Sequence, residues 1–377
     1  MKLFDVYSLL PIEPVRALGS KIWDANGQEY LDLYGGHAVI SVGHSHPKYN
    51  AAIQDQLNKI SFYSNSVQNK LQEELAEKLG ALSGYNDYSL FLCNSGAEAN
   101  ENALKLASFI TGKRKIIAMK KAFHGRTSGA VAATDNPKII APFNAGHEII
   151  FVPMNDASAL DAALDDQVAA ILIEGIQGVA GIFEPQPEYL QHLEKRCQER
   201  GVILILDEVQ SGYGRTGKFF AHQHAGIRPH LIATAKGMGN GFPIGGVLIH
   251  PDLKPWSGML GTTFGGNHLA CAAGIAVLDI IKEERLMENA ETIGTLLIEK
   301  ITSILQAPVR GKGLMIGFDT PEHHLQLRTN LISKHRIFTG EAKPAIIRLL
   351  PSLALSKQDA ELFLSALDQE IHQNATA

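Results

Sequence analysis

Little in this chain points away from a reducing, aqueous compartment. Its three cysteines, Cys93, Cys197 and Cys271, stand far apart with no CxxC pair among them. That spacing gives no disulfide framework, and the three read as small core residues. Long apolar runs are missing too: no stretch approaches the roughly 20 residues needed to span a bilayer. Met1-Lys2-Leu3-Phe4-Asp5 lacks the basic-then-apolar run of a secretory signal, so a cytoplasmic location is expected. Nor is there an excess of one charge. The formal net charge of −5 is spread without long runs, which leaves no nucleic-acid or membrane footprint. Internal repeats and low-complexity segments are likewise absent. What remains is 377 residues, 45% hydrophobic and 19% charged, enough for one large domain with a smaller companion.

The most informative stretch runs from Val202 to Gly246. An apolar run, Val202-Ile203-Leu204-Ile205-Leu206, stops abruptly at Asp207-Glu208, and a shorter one, Leu231 to Thr234, stops at Ala235-Lys236-Gly237. Both have the pattern of buried parallel strands with charges at their carboxyl ends. That edge is where open α/β sheets bind ligands. The pair could be an ordinary salt bridge or could face one pocket. Gly-Met-Gly-Asn-Gly after Lys236 favours the pocket, because a glycine-rich backbone can approach a ligand closely. It is not a P-loop, since the lysine precedes the glycines and no Ser or Thr follows at the required spacing.

The rest of the chain alternates strands and helices. Lys21 to Asp24 and Tyr30 to Leu33 flank Asn26-Gly27 as a hairpin. His44-Ser45-His46-Pro47 has no carboxylate or cysteine partner at ligand spacing, so it reads as a turn before a helix and no metal site is expected. Leu71, Leu75 and Leu79 mark an amphipathic helix over 69 to 82. Leu90 to Cys93 followed by Asn94-Ser95-Gly96-Ala97 reads as strand, tight turn and helix. The start of such a helix offers free N–H groups to an anion, and Ser95 either caps it or adds a donor. Lys115 to Met119 leads into Ala122-Phe123-His124-Gly125-Arg126-Thr127, and further apolar runs cover Glu148 to Val152 and Ala169 to Ile173. The helix from Pro187 to Arg200, with Gly201 beyond it, completes a βαβ unit.

Leu206-Asp207-Glu208-Val209-Gln210-Ser211-Gly212 and Ala235-Lys236-Gly237 resemble the core of the class III aminotransferases, which use pyridoxal phosphate (PLP) on the fold-type I scaffold. Matching segments run from Tyr7 to Arg348, and within the class the pattern is most similar to the acetylornithine aminotransferases. The resemblance implies an α/β fold with a large domain around a mostly parallel sheet and a smaller α+β domain. The expected boundaries are 1–44 for an N-terminal segment lying against the active site, 45–266 for the large domain and 267–377 for the small one.

By the same resemblance, Lys236 holds PLP as a Schiff base and moves the proton, and Asp207 sits against the pyridine nitrogen. Gln210 lies near the ring hydroxyl, Phe123 stacks on the ring, and Ser95, Gly96 and Ala97 bind the phosphate. Thr263, in Gly261-Thr262-Thr263-Phe264-Gly265, would reach the phosphate of a second subunit, which makes a homodimer with shared sites the expectation. Tyr7, Arg126 and Arg348 correspond to residues that hold substrate carboxylates. The implied reaction moves the terminal amine of N-acetylornithine or N-succinylornithine to 2-oxoglutarate in a ping-pong cycle. One position departs from the family: Val179 stands where ornithine and many acetylornithine enzymes carry a glutamate that pairs with the residue matching Arg348. An α-amino aminotransferase of the alanine–glyoxylate type is therefore the competing enzyme reading. A non-catalytic PLP-fold or nucleotide-binding module is the reading from another class.

Overall fold

The computed structural model describes residues 1–373. Three short strands open it: β1 (Pro14–Leu18), β2 (Lys21–Asp24) and β3 (Glu29–Asp32). The β2–β3 turn is closed by Asp24, whose Oδ1 accepts from the backbone N–H groups of Asn26 and Gln28 at 2.9 Å each. This is the local bonding that makes Asp a turn residue.

Seven strands form the central sheet: β4 (Ser89–Cys93), β5 (Lys115–Met119), β6 (Ile149–Val152), β7 (Val168–Glu174), β8 (Ile203–Asp207), β9 (Leu231–Thr234) and β10 (Gly245–Ile249), in the order β4-β10-β9-β8-β7-β5-β6. The run from β9 to β6 is parallel, whereas β10 is antiparallel to both its neighbours. Every residue of β7, β8 and β9 is buried. Both faces are covered, which is why these strands read as unbroken apolar runs rather than as alternation. In β7, Ala170 and Leu172 pack into one core while Ile171 and Ile173 pack into the core on the other face.

Helices supply the covering layers. They include α1 (Pro47–Leu57), α2 (Lys70–Ser83), α3 (Gly96–Thr111) and α4 (Pro187–Arg200). Ala99, Ala103 and Ala107 of α3 lie fully buried on one face of the sheet, and Leu190, Leu193 and Cys197 of α4 lie on the other. Gly201, at φ 61°, ends α4 in the left-handed conformation expected of a C-terminal glycine.

The last third contains α5 (His268–Glu283), α6 (Leu286–Leu305), β11 (Val309–Lys312), β12 (Met315–Asp319), β13 (Ile337–Phe338), β14 (Gly340–Ala342), β15 (Ile346–Leu349) and α7 (Lys357–Asp368). An antiparallel sheet runs in the order β11-β12-β15-β14. β13 instead joins β3 in parallel, pairing Ile337 with Leu31, so the first strands and the last third share one layer. Among the described residues no helix is long and apolar enough to cross a membrane.

Candidate active site

The carboxyl ends of β4, β5, β7, β8 and β9 converge on a cavity of about 350 Å³, which is lined in part by Ser95, Phe123, Glu174, Asp207, Gln210 and Lys236. The parallel stretch explains the meeting: adjacent strands of one direction put their chain exits on one edge. Register places Glu174 beside Asp207 and Asp207 beside Ala233, which lies three residues before Lys236.

Asp207 is buried and held by three donors. Its Oδ2 accepts from His124 Nδ1 and Asn100 Nδ2, both at 2.7 Å, and its Oδ1 accepts from the Val209 amide at 3.0 Å. His124 thus carries its proton on Nδ1, and its buried Nε2 has no partner among the described residues. Glu174 is also buried, accepting from the amides of Phe123 at 3.1 Å and Gly178 at 3.0 Å. Burial pushes its carboxyl up to about 7, and Asp207 adds to the rise, against the nearby His124 and the two N–H bonds.

Lys236 follows β9 in a single 3-10 turn, with φ at 43°. A left-handed lysine is strained by about 1–3 kcal/mol, a feature that concentrates at functional sites. Its amine forms no salt bridge among the described residues. Burial pulls its pKa below 10.5, opposed by Asp207 and Glu174 and reinforced by Arg348 and Arg215. Among the glycines after Lys236, Gly241 lines the cavity, and Gly239 answers to a packing need of its own. A Cβ on Gly239 would stand 2.0 Å from the Phe242 carbonyl, so that glycine makes a tight turn. Asn240 pins the turn by accepting from the Ser41 and Val42 amides and donating to the Gly43 carbonyl.

Ser95 is the N-cap of α3, its Oγ accepting from the Glu98 amide at 3.2 Å. The Gly96 and Ala97 amides fall in the first turn, where a helix has no acceptors of its own to offer. A Cβ on Gly96 would lie 2.5 Å from Val209 Cγ1, and one on Gly125 would lie 2.7 Å from the Ala97 Cβ. Glycine at these positions lets the β8 exit and the Phe123 loop close around the helix start.

The expected substrate arginines are placed differently from each other. Arg126 is exposed at the cavity wall. Arg348, on β15, is buried and outside the lining residues, donating from Nε to the Glu341 carbonyl at 2.9 Å and from Nη1 to the Gly178 carbonyl at 3.0 Å. Val179 lines the cavity beside that carbonyl. Tyr7 and Thr263 are both exposed and lie outside the residues lining the cavity. His44 and His46 diverge, one to Asp32 and the other to Glu284. Asn100, His124 and Glu174 were not singled out by the sequence for the site. Glu174 carried a readable signal, an acid ending a buried strand as Asp207 does.

The chain matches the family described as Aminotransferase class-III over residues 5–371. It belongs to the class-III aminotransferases. It is 40% identical to the acetylornithine aminotransferase of Bacillus subtilis over 384 residues, covering 99% of this chain and 98% of that protein. It is 36% identical to that of Methanosarcina mazei, covering 97% and 93%. Among solved structures, an ornithine aminotransferase from Toxoplasma gondii, with partial PLP occupancy at its active site, superposes with a TM-score of 0.91. That pair is 27% identical and covers 99% of this chain and 93% of the other. An acetylornithine aminotransferase from Elizabethkingia anophelis gives 0.84 at 30% identity, covering 97% and 95%. This class-III aminotransferase is a PLP-dependent enzyme that exchanges an amino group between an amino donor and a keto acid, built on the fold-type I scaffold. Its cavity fits PLP: a helix start for the phosphate, an amine without an ion pair among the described residues, and a carboxylate fixed by three donors.

Proposed function

We propose that this aminotransferase acts on the terminal amine of an N-acylated ornithine, N-acetylornithine or N-succinylornithine, with 2-oxoglutarate as acceptor. The supporting observation is two guanidinium groups at different depths, Arg126 exposed at the wall and Arg348 buried behind Gly178. A donor reacting at its terminal amine carries its carboxylate far from the reacting atom. 2-Oxoglutarate carries one carboxylate near and one far. Two cationic sites serve both, because a guanidinium recognises a carboxylate through paired N–H bonds. Tyr7 is a third candidate for the donor carboxylate, provided that the exposed N-terminal stretch folds over the site.

The residues divide the work as follows. Ser95, Gly96 and Ala97 bind the phosphate, Phe123 covers the ring face, and Gln210 meets the ring hydroxyl. When bound, PLP supplies the electron sink for the pair left on the reacting carbon. Asp207 stays against the ring nitrogen and holds a proton there, fixed by His124 and Asn100. Lys236 would hold the cofactor through its Nζ, and with substrate in place that amine would take the proton from the reacting carbon and return it on the other side of the transfer. The amino group stays on the enzyme between the two half-reactions, which gives ping-pong kinetics. Thr263 is exposed and outside the residues lining this cavity, and on this reading it serves the phosphate site of a second copy. The working unit on this reading is a cytoplasmic homodimer.

A second reading, the α-amino aminotransferase of alanine–glyoxylate type, is favoured by Val179. No carboxylate at that position competes for Arg348, which stays available to an α-carboxylate in both half-reactions. Visible absorption of the PLP-loaded protein separates the two. Loss of the lysine-bound band on adding N-acetylornithine or N-succinylornithine supports the first reading and identifies the acyl group. A band that ignores both and responds to alanine moves the assignment to the second.

A further inference from the structure

Glu174 belongs to neither the ring-binding nor the carboxylate-binding set, yet it touches both. It ends β7, opposite Asp207 in the register, and its side chain lies buried. Oε1 accepts from the amide of Phe123, and Oε2 accepts from the amide of Gly178. Phe123 is one of two aromatics lining the cavity, with Phe242. Gly178 lies in a loop closed by the bridge between Gln177 and Phe183, and its carbonyl accepts from Arg348. The same glycine packs against Gln210: a Cβ there would lie 1.7 Å from Gln210 Oε1. One carboxylate therefore joins the aromatic wall to the loop that fixes the buried guanidinium.

We propose that Glu174 is a positioning residue for carboxylate recognition, clamping the Phe123 wall to the Gly178 loop so that Arg348 is held at one depth. The proposal rests on the reading of Phe123 and Arg348 given above. An ionised carboxylate is the form suited to two N–H donors, because protonation turns one oxygen into a donor. Asp207 faces Glu174 from β8, His124 from the β5 exit, Lys236 from the β9 exit and Arg348 from β15. With its carboxyl raised to about 7, the clamp is complete above that pH and loosens as pH falls through it.

The test uses the PLP-loaded protein and two variants, Glu174→Gln and Glu174→Ala. Amide hydrogen exchange is read for the peptides carrying Phe123 and Gly178. The alanine variant removes both acceptors and is expected to speed exchange about tenfold or more in both peptides. In the glutamine variant, which keeps the volume and one acceptor, KM for N-acetylornithine and 2-oxoglutarate is expected to rise about tenfold, with kcat changed much less. The wild-type rise in KM below neutral pH should flatten in the glutamine variant. Because the effect passes through Arg348, it should disappear when Arg348 is already alanine. Unchanged exchange in both peptides overturns the clamp, as does a KM effect that persists undiminished in the Arg348→Ala background. If N-acetylornithine is not a donor, the substrate reading fails, and amide exchange still decides the clamp.

Discussion

His124 donates from Nδ1 to Asp207 Oδ2 across 2.7 Å, with both side chains buried. A hydrogen bond to a charged, buried acceptor contributes about 1.5–3 kcal/mol, and it fixes the carboxylate in orientation as well. Replacing His124 by Phe keeps a ring in place and removes the donor. The expected outcome is a fall of about 10- to 100-fold in kcat/KM, with bound PLP retained. Steady-state kinetics together with the cofactor content of the purified variant check it.

Lys236 offers a pH prediction with a definite sign. Burial disfavours its charged form, so the neutral nucleophile is present at lower pH than in a free lysine. The rate at which PLP-stripped protein takes up the cofactor should rise with pH, with a midpoint below 10.5. Replacing Lys236 by Ala should abolish the lysine-bound absorption band and lower kcat by at least about a hundredfold. A variant that kept that band would show that another amine carries the cofactor.

Much of the fold was legible because parallel strands are buried on both faces. β8 and β9 appeared as uninterrupted apolar runs ending in Asp207 and just before Lys236, and so did β7, which ends in Glu174. β10 was not legible. It begins with Gly245-Gly246 because the Ser95 and Phe91 carbonyls approach so closely that a Cβ would stand 2.7 and 3.1 Å from them, and paired glycines read as a turn. The partners of Asp207 were hidden for another reason. Asn100 sits inside a helix and His124 inside a loop, and only the folded sheet brings them to one carboxylate. Arg348 could be marked by resemblance, but its Gly178 partner is 170 positions away.

The start of α3 is predicted to act on two quantities at once. Ser95→Ala removes the cap on the Glu98 amide, which costs about 1 kcal/mol of stability, and on the proposed reading it also removes a donor from the phosphate. PLP dissociation should therefore be faster, together with a small drop in the denaturant midpoint. Gly96→Ala should be more harmful to PLP binding than Ser95→Ala, because its Cβ would stand 2.5 Å from Val209 Cγ1 and push the helix start away from β8. Titration of stripped protein with PLP distinguishes the two by affinity.

Glu208 lies beside Asp207 in sequence but points away from the cavity into the core. It accepts from Ser211 Oγ at 2.6 Å, the Ala221 and His222 amides at 3.0 and 2.9 Å, and His222 Nδ1 at 2.7 Å. His222 Nε2 in turn meets the Tyr85 hydroxyl at 2.5 Å. His222 and Glu208 have fully buried side chains, so a missing member leaves polar atoms that water cannot reach. His222→Ala is expected to cost about 3–5 kcal/mol, the range for breaking a buried pair. Tyr85→Phe removes only the terminal hydroxyl and is expected to cost about 1 kcal/mol. Because the second effect depends on the imidazole, the double variant should be no less stable than His222→Ala alone by more than a few tenths of a kcal/mol. Urea denaturation of the three variants checks the order. Neither His222 nor Tyr85 lines the cavity, so Tyr85→Phe should keep its PLP band and its kcat at temperatures where it is folded. A loss of kcat without a loss of stability would mean that this network reaches the reacting atoms through Asp207.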